Sequence, residues 1–408
     1  MSRIVIVGAG QAGSSLAAKL RNLGHEGEIT LIGEESAPPY QRPPLSKKYL
    51  LGEMEEARLY LRPAEFYPDN KIDLRTDVEV TEIDRAAKEV VFKSGERLAY
   101  DKLALTTGSR PRLLPAAIGG ALGGVYPVRS LADVDAMAPE FQSGRHVLII
   151  GGGYIGLEAA AVASSKGLKV TLVEMAERIL QRVATTETSD YFRALHQSHG
   201  VDIREGVGLS RLTGSDRVSG AELTDGSQLD IDFALVGVGI AANQELAEAA
   251  GLTIDNGIAV DQTGATSDPD IYSAGDCASF PYEGATGTQR IRLESVQNAI
   301  DQAEAAAKAM LGESVKYAPV PWFWSDQFDV KLQIAGLNQG HDQTVTRPGD
   351  KEGSQSVWYY HGDRLLAIDA MNDPRAYMVG KRLLEGGINP TPAEVSDPTI
   401  ELKTLMRR

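Results

Sequence analysis

The chain has 408 residues, 42% of them hydrophobic and 24% charged, which suits two or three soluble domains, each with its own core. Its net charge of −15 argues against nonspecific binding to nucleic acid or an anionic membrane, and no apolar run approaches the roughly 18 residues of a membrane span. One cysteine, Cys277, excludes an intramolecular disulfide, a CxxC pair and a cysteine-held iron–sulfur cluster within the chain, and no metal site is expected.

The N-terminus enters the first element with no basic region and apolar stretch of a secretory signal, so a cytoplasmic location is expected. That element, Ile4-Val5-Ile6-Val7, is an unbroken apolar run of the kind buried on both faces of a parallel sheet. GAGQAG follows, with Gly8, Gly10 and Gly13 opening a helix, and the next apolar run, Ile29 to Ile32, leads to Glu34. The first glycine allows a tight turn, the second lets the backbone approach a pyrophosphate, the third lets helix and strand pack, and the acid reaches ribose hydroxyls.

The same design returns 143 residues on: Val147 to Ile150, then Gly151, Gly153 and Gly156 in GGGYIG, then Val170 to Val173 and Glu174. A single such turn also reads as a plain bend with a solvated carboxylate. Two complete copies in the same order point to two dinucleotides held at once. A second matching segment supports the duplication. SGERLAYDKLALTTG (Ser94 to Gly108) and DGSQLDIDFALVGVG (Asp225 to Gly239) each begin with a turn pair ending in glycine, Gly95 and Gly226. Each also places an aspartate, Asp101 or Asp232, seven residues before its closing glycine.

On a helix ending at Gly200, His196 and His199 stand three apart, as a metal pair or, more simply, an exposed polar face. After Gly239 there is no third fingerprint. DPDIYSAGDCA (Asp268 to Ala278) and a helix from Val296 to Leu311 are expected to return to the first domain, making the second an insertion. From about Pro319 the texture changes: Trp322, Phe323 and Trp324 lead into strand-like runs at 330–334, 357–360 and 365–368. A helix follows, capped by Asp373, with Pro374 in its first turn and Gly386 at its end. The fold class is therefore α/β, with two Rossmann-like dinucleotide-binding domains, the second inserted, and a C-terminal α+β domain. The expected divisions are 1–112 and 241–318 for the first domain, 113–240 for the insertion and 319–408 for the third.

These residues resemble the FAD-dependent NADH:ferredoxin reductases of bacterial oxygenase systems, a glutathione-reductase-type two-dinucleotide family. The likeness spans GAGQAG, RPPLSK (Arg42 to Lys47), TTGSRP (Thr106 to Pro111), GGGYIGLE (Gly151 to Glu158), SAGDCA (Ser273 to Ala278), LESV (Leu293 to Val296) and PWFWSDQ (Pro321 to Gln327). The resemblance implies FAD on the first unit, held by Gly8, Gly10, Ala12, Gly13, Glu34, Arg42, Lys47, Val80, Thr107, Gly108, Arg129, Asp276, Glu294, Val296 and Trp324. It implies NADH on the second, at Gly151, Gly153, Tyr154, Ile155, Gly156, Glu158, Glu174 and Gly239. Hydride would pass from nicotinamide to flavin, and electrons then singly to a [2Fe–2S] ferredoxin serving a monooxygenase or dioxygenase.

Lys47, Glu158 and Trp324 are the expected catalytic residues. Lys47 would stabilise charge on the flavin, Glu158, placed on the first turn of its helix, would meet Lys47, and Trp324 would border the isoalloxazine. Plainer readings stand beside these: a loop lysine, a carboxylate complementing a helix dipole, and an interface aromatic. Glu174 favours NADH, because the 2′-phosphate of NADP would meet a carboxylate, although Arg178 and Arg182 lie close enough to rescue it. Since the chain is acidic, a ferredoxin needs a local basic face. Arg375 and Arg382 share one face of the last helix, with Lys381 adjacent, and Arg290, Arg292 and Lys331 are candidates to join them. A monomer is expected. Rival readings are a rubredoxin reductase and an NADH-sensing flavoprotein like apoptosis-inducing factor; RPPLSK lacks the cysteine of the related peroxidases and disulfide reductases.

Overall fold

The computed structural model describes residues 2–407, which form two compact units. The first contains the chain through Gln41, Ala57–Arg110 and Ala241–Phe323; the second contains Arg42–Glu56, Pro111–Ile240 and the chain from Trp324 onward.

In the first unit, five parallel strands lie in the order Ile271–Ser273, Lys102–Leu105, Ile4–Val7, Ile29–Ile32, Ile72–Arg75. The continuous apolar run has a simple cause: alternate residues of one strand serve opposite layers. Ile4 and Ile6 pack under the helices Gln11–Asn22 and Val296–Met310, among Leu16, Leu20, Ala303 and Ala307. Val5 and Val7 face Ile83, Val90 and Phe92 of a small antiparallel sheet, Val80–Asp84, Glu89–Phe92 and Arg97–Ala99, and Cys277 is buried in that layer. As expected, the region after Gly239 returns to this sheet through Ile271–Ser273.

The second unit repeats the plan with parallel strands in the order Asp202–Glu205, Lys169–Glu174, His146–Ile150, Phe233–Val236, Val125–Pro127. An antiparallel sheet, Leu209–Gly214, Val218–Leu223 and Gln228–Asp230, again covers one face. The repeated aspartates do the same work in each copy. Asp101 accepts from the main-chain N–H of Arg3 at 2.6 Å, and Asp232 from that of His146 at 2.7 Å, each pinning the start of the strand that leads into its glycine turn. In both sheets that strand is central, between Ile29–Ile32 and Lys102–Leu105 in the first and between Lys169–Glu174 and Phe233–Val236 in the second, so the connections part at its carboxyl end, where α/β sheets bind ligands.

The C-terminal part is an antiparallel sheet in the order Trp322–Gln327, Val330–Gly336, Arg364–Met371, Gln355–His361, Gln343–Pro348. The helix Pro374–Gly386 packs on it so closely that a Cβ on Gly380 would lie 2.8 Å from Ile368. Asp373 caps this helix through Ala376, as expected, while the left-handed residue that ends it is Gly387 rather than Gly386. The strand Gln343–Pro348 was not apparent from the sequence. Its two inward residues are Val345 and a buried Arg347, whose guanidinium donates to the carbonyls of Val395, Asp397 and Ile400 at 2.8 Å each.

Candidate active site

The two glycine turns are built alike, and each glycine has a separate physical reason. Gly8 (φ +114°) and Gly151 (φ +110°) adopt a backbone that side chains rarely take, and a Cβ there would lie 2.1 Å from Thr106 O or 2.3 Å from Gly237 O. Gly13 and Gly156 sit over the carbonyls of Gly8 and Gly151, at 2.0 and 2.1 Å from an added Cβ. Gly10 and Gly153 differ. Both have negative φ, and a Cβ on either would meet nothing within 4 Å. Neither backbone nor packing calls for glycine there, which leaves close approach by an outside group as the reason. Each is the N-cap of a helix with no acidic residue in its first turn, so the free N–H groups and the helix dipole suit a pyrophosphate.

Glu174 ends its strand and is fixed beside the second turn, accepting from Gly152 N at 2.7 Å and Ala176 N at 2.8 Å. Arg178 is committed to Ser189 at 2.5 Å, whereas Arg182 lies 3.7 Å from the place a Gly239 Cβ would take. Leu113, Ile155, Met175, Val183 and Val238, five of the six exposed large apolar side chains among the described residues, belong to the stretch Pro111–Ile240. Tyr154 is a partial surprise. Its hydroxyl is buried beside Asp369 and Tyr359, and burial pushes its pKa well up, so the phenol faces the protein.

In the first unit, Ala12 is buried near Gly275, and Glu34 is exposed at its strand end. Thr107 and Gly108 are tied to Asn243: Thr107 Oγ1 donates to its carbonyl at 2.6 Å, and its main-chain N–H donates to Gly108 O at 2.9 Å. Asp276 accepts from Ser109 at 2.8 Å, and Val80 opens the strand Val80–Asp84. Glu294 pairs with Arg292 at 2.6 Å, and Val296 begins a helix capped by Ser295.

The remaining flavin candidates lie in the second unit. Arg42 donates to Arg129 O at 2.9 Å, and Lys47 lies in the wide turn Leu45–Tyr49. Lys47 Nζ is 3.0 Å from Glu158 Oε1, which is buried; Ser46 donates to Glu158 Oε2 at 2.8 Å and Ser325 to Oε1 at 2.7 Å. Burial pushes the Glu158 carboxyl upward, and Lys47 and the two hydroxyls oppose that shift. Because the helix starts at Tyr154, Glu158 stands in its second turn, not the first; its partners are side chains, not the helix N-terminus. Trp324 is half-buried and adjacent to Ser325 on a strand whose alternate residues Ser325 and Gln327 are fully buried. Sequence reasoning missed Ser46 and Ser325, although both stood inside the segments RPPLSK and PWFWSDQ.

His196 is also unlike its expectation. Instead of lying on an exposed face it is fully buried and bonded to Gln327 at 2.8 Å, while His199 stacks on Phe328 with centroids 3.8 Å apart. Of the basic candidates, Arg290 donates to Val260 O and Ser279 O at 2.9 and 2.6 Å, and Arg292 to Asp276 O at 2.9 Å, so both serve internal structure. Lys331 lies 3.8 Å from Asp326, Arg375 pairs with Asp350 at 2.7 Å, and Lys381 lies 3.7 Å from Glu385. Arg375, Met378 and Arg382 are exposed together on one face of the last helix.

Two open dinucleotide turns on duplicated Rossmann sheets define a two-dinucleotide oxidoreductase. The chain belongs to the pyridine nucleotide-disulphide oxidoreductase family, whose profile matches residues 2–303, and a reductase C-terminal domain matches residues 322–406. It is 41% identical to a rhodocoxin reductase of Rhodococcus erythropolis over 406 residues, covering 99% of this chain and 94% of that one. It is 42% identical to a ferredoxin–NAD(P)+ reductase of a Sphingomonas species over 404 residues, covering 99% and 97%. The crystal structure of a covalent putidaredoxin reductase–putidaredoxin complex superposes with a TM-score of 0.96 at 37% identity, covering 100% of this chain and 98% of that one. FAD and NAD(H) are the dinucleotides of this enzyme class, and the two turns fit them.

Proposed function

We propose that the protein is an NADH:ferredoxin reductase of a bacterial oxygenase system, a cytoplasmic monomer with the domain divisions 1–112, 113–240, 241–318 and 319–408. The Lys47–Glu158 ion pair carries the reading, because it ties the turn expected to face the flavin to the helix that opens at the nicotinamide turn. Bound FAD supplies the conversion of a two-electron donor, NADH, to one-electron steps that suit an iron–sulfur acceptor.

The chain's part is to hold, orient and compensate charge. Gly10 and Gly153 admit the two pyrophosphates, and Glu174 offers its free lone pairs to ribose hydroxyls. Lys47 presents a cation held in place by Glu158, so negative charge arising beside it meets a preorganised partner. No cysteine lies in the segment leading to Lys47, and Cys277 is buried, so the protein contributes no thiol to the chemistry. The exposed Arg375–Met378–Arg382 face offers charge and an apolar centre to an acidic ferredoxin.

The test is steady-state reduction of purified [2Fe–2S] ferredoxins and rubredoxins from the same genome by the FAD-loaded protein with NADH. Fast reduction of a ferredoxin supports the reading. Preferential reduction of a rubredoxin, or a protein that takes up no FAD, overturns it.

A further inference from the structure

Beyond Ser325, which donates to Glu158, lie two buried polar groups that the site as described does not use. Ser325, Gln327 and His196 are each fully buried, and they come from two elements, the strand Trp322–Gln327 and the helix Thr186–Ser198. Ser325 Oγ is 2.7 Å from Glu158 Oε1, Gln327 Nε2 is 3.2 Å from Ser325 Oγ, and His196 Nε2 is 2.8 Å from Gln327 Oε1.

The direction of each bond follows from the carboxylate outward. Glu158, facing Lys47 at 3.0 Å, only accepts, so Ser325 spends its one proton on Glu158. Ser325 must then accept from Gln327, which turns the Gln327 amide nitrogen toward it and the amide oxygen toward His196. That oxygen needs a donor, so His196 carries its proton on Nε2. The remaining ring nitrogen, Nδ1, is buried and without a hydrogen-bond partner among the described residues, so a proton placed there would find no acceptor, in keeping with the Nε2–H tautomer. A second ring proton would have no acceptor, and burial accordingly lowers the His196 pKa to about 4, with His199 adding to the effect and Gln327 opposing it. The ring is packed edge-on against Phe328, at 5.1 Å between centroids.

We propose that His196 and Gln327 are positioning residues of the reductase: a one-way chain of donors, His196 to Gln327 to Ser325 to Glu158, fixes the carboxylate that holds Lys47. The charged groups around that carboxylate are Lys47 and, beyond it, Asp326 at 3.8 Å from Lys47 Nζ, itself 3.8 Å from Lys331. The chain therefore reaches the same Glu158 oxygen that Lys47 contacts, Oε1, but with neutral donors only. Its effect is to keep Glu158 ionised in a place where burial favours the acid. The role of Lys47 toward the flavin rests on the function proposed above; the chain itself does not.

The experiment follows the ionisation of Glu158 directly. In oxidised, FAD-loaded protein, the infrared band of a protonated carboxyl that Glu158→Gln removes is titrated against pH. Gln327→Met keeps the side-chain length and removes both links, and His196→Phe keeps the ring against Phe328 and removes the donor. Each is expected to raise the midpoint by about one pH unit, a tenfold change in the equilibrium. His196→Gln, which restores an N–H donor, is expected to return the midpoint most of the way. An unchanged midpoint in Gln327→Met overturns the proposal even if His196→Phe fails to fold. Nitrogen-labelled histidine spectra showing His196 protonated on Nδ1 overturn it as well. Neither readout uses NADH or a ferredoxin, so each fails separately from the proposed reaction.

Discussion

Gly152 donates its main-chain N–H to Glu174 Oε2 at 2.7 Å, so the glycine turn proposed to receive a pyrophosphate also fixes the acid proposed to receive a ribose. Ala176 N holds the other oxygen at 2.8 Å, which leaves the carboxylate unable to swing away from a 2′-phosphate. Glu174→Gln keeps one acceptor and removes the charge. It should weaken NADH binding and shift the NADPH-to-NADH ratio of kcat/KM upward by of order tenfold. Stopped-flow reduction of the flavin with both nucleotides measures this. An unchanged ratio assigns the preference to another residue, with Arg182 the first to examine because it stands near Gly239.

The glycines separate folding from binding. Gly10→Ala adds a methyl group that touches nothing in the protein, so the apoprotein should melt within a degree or two of the parent while FAD affinity falls at least about tenfold. Gly153→Ala should do the same to NADH and leave FAD content intact. Gly8→Ala, with a Cβ 2.1 Å from Thr106 O and φ of +114°, should instead cost the fold itself. Thermal melting beside FAD titration distinguishes the three. Full FAD affinity in Gly10→Ala removes the reason given for that glycine.

The buried Asp369 makes a pH prediction. Thr188 donates to it at 2.8 Å, and Tyr359 donates to the same oxygen. Burial raises its pKa from 3.8 to about 6 against these two donors and the more distant His341, with the buried Tyr154 hydroxyl also nearby. The folded state thus keeps a proton that the unfolded chain releases between those values. Its contribution to stability falls as pH rises across that window and is level above it. Asp369→Asn should remove the slope, raising its melting temperature relative to the parent between about pH 5 and pH 7.5, by the equivalent of 1–3 kcal/mol. Parallel melting curves at the two pH values would contradict this.

The duplicated halves were legible because their signals are local. A left-handed glycine, an apolar run with residues for both layers and an acid at the next strand end are all written within thirty residues of each other. The shared job of Asp101 and Asp232 shows that even the weaker repeat carried a structural instruction. Ser46, Ser325, Gln327 and His196 left no such pattern. Each is a single polar residue whose burial is decided by packing between segments far apart in sequence, and the three-residue spacing of His196 and His199 pointed to a surface. The missed strand Gln343–Pro348 has the same origin: with Arg347 as an inward residue, its alternation was broken where hydrophobicity was being read.

Arg375, Met378 and Arg382 form one exposed stripe, and Arg375 has an exposed partner, Asp350, at 2.7 Å. An exposed pair of this kind contributes little to stability, so charge reversal should leave the fold intact. Arg375→Glu with Arg382→Glu should lower the second-order rate of ferredoxin reduction about tenfold at low ionic strength and flatten its salt dependence, since opposite charges speed encounter within a screening length. Flavin reduction by NADH in the same protein should keep its rate, because neither arginine lies in a dinucleotide turn. Arg290 and Arg292 are the contrasting positions: they donate to main-chain carbonyls, so replacing them should reduce thermal stability as well as any docking. A double reversal at the helix that leaves the salt dependence unaltered would move the docking face elsewhere on this acidic surface.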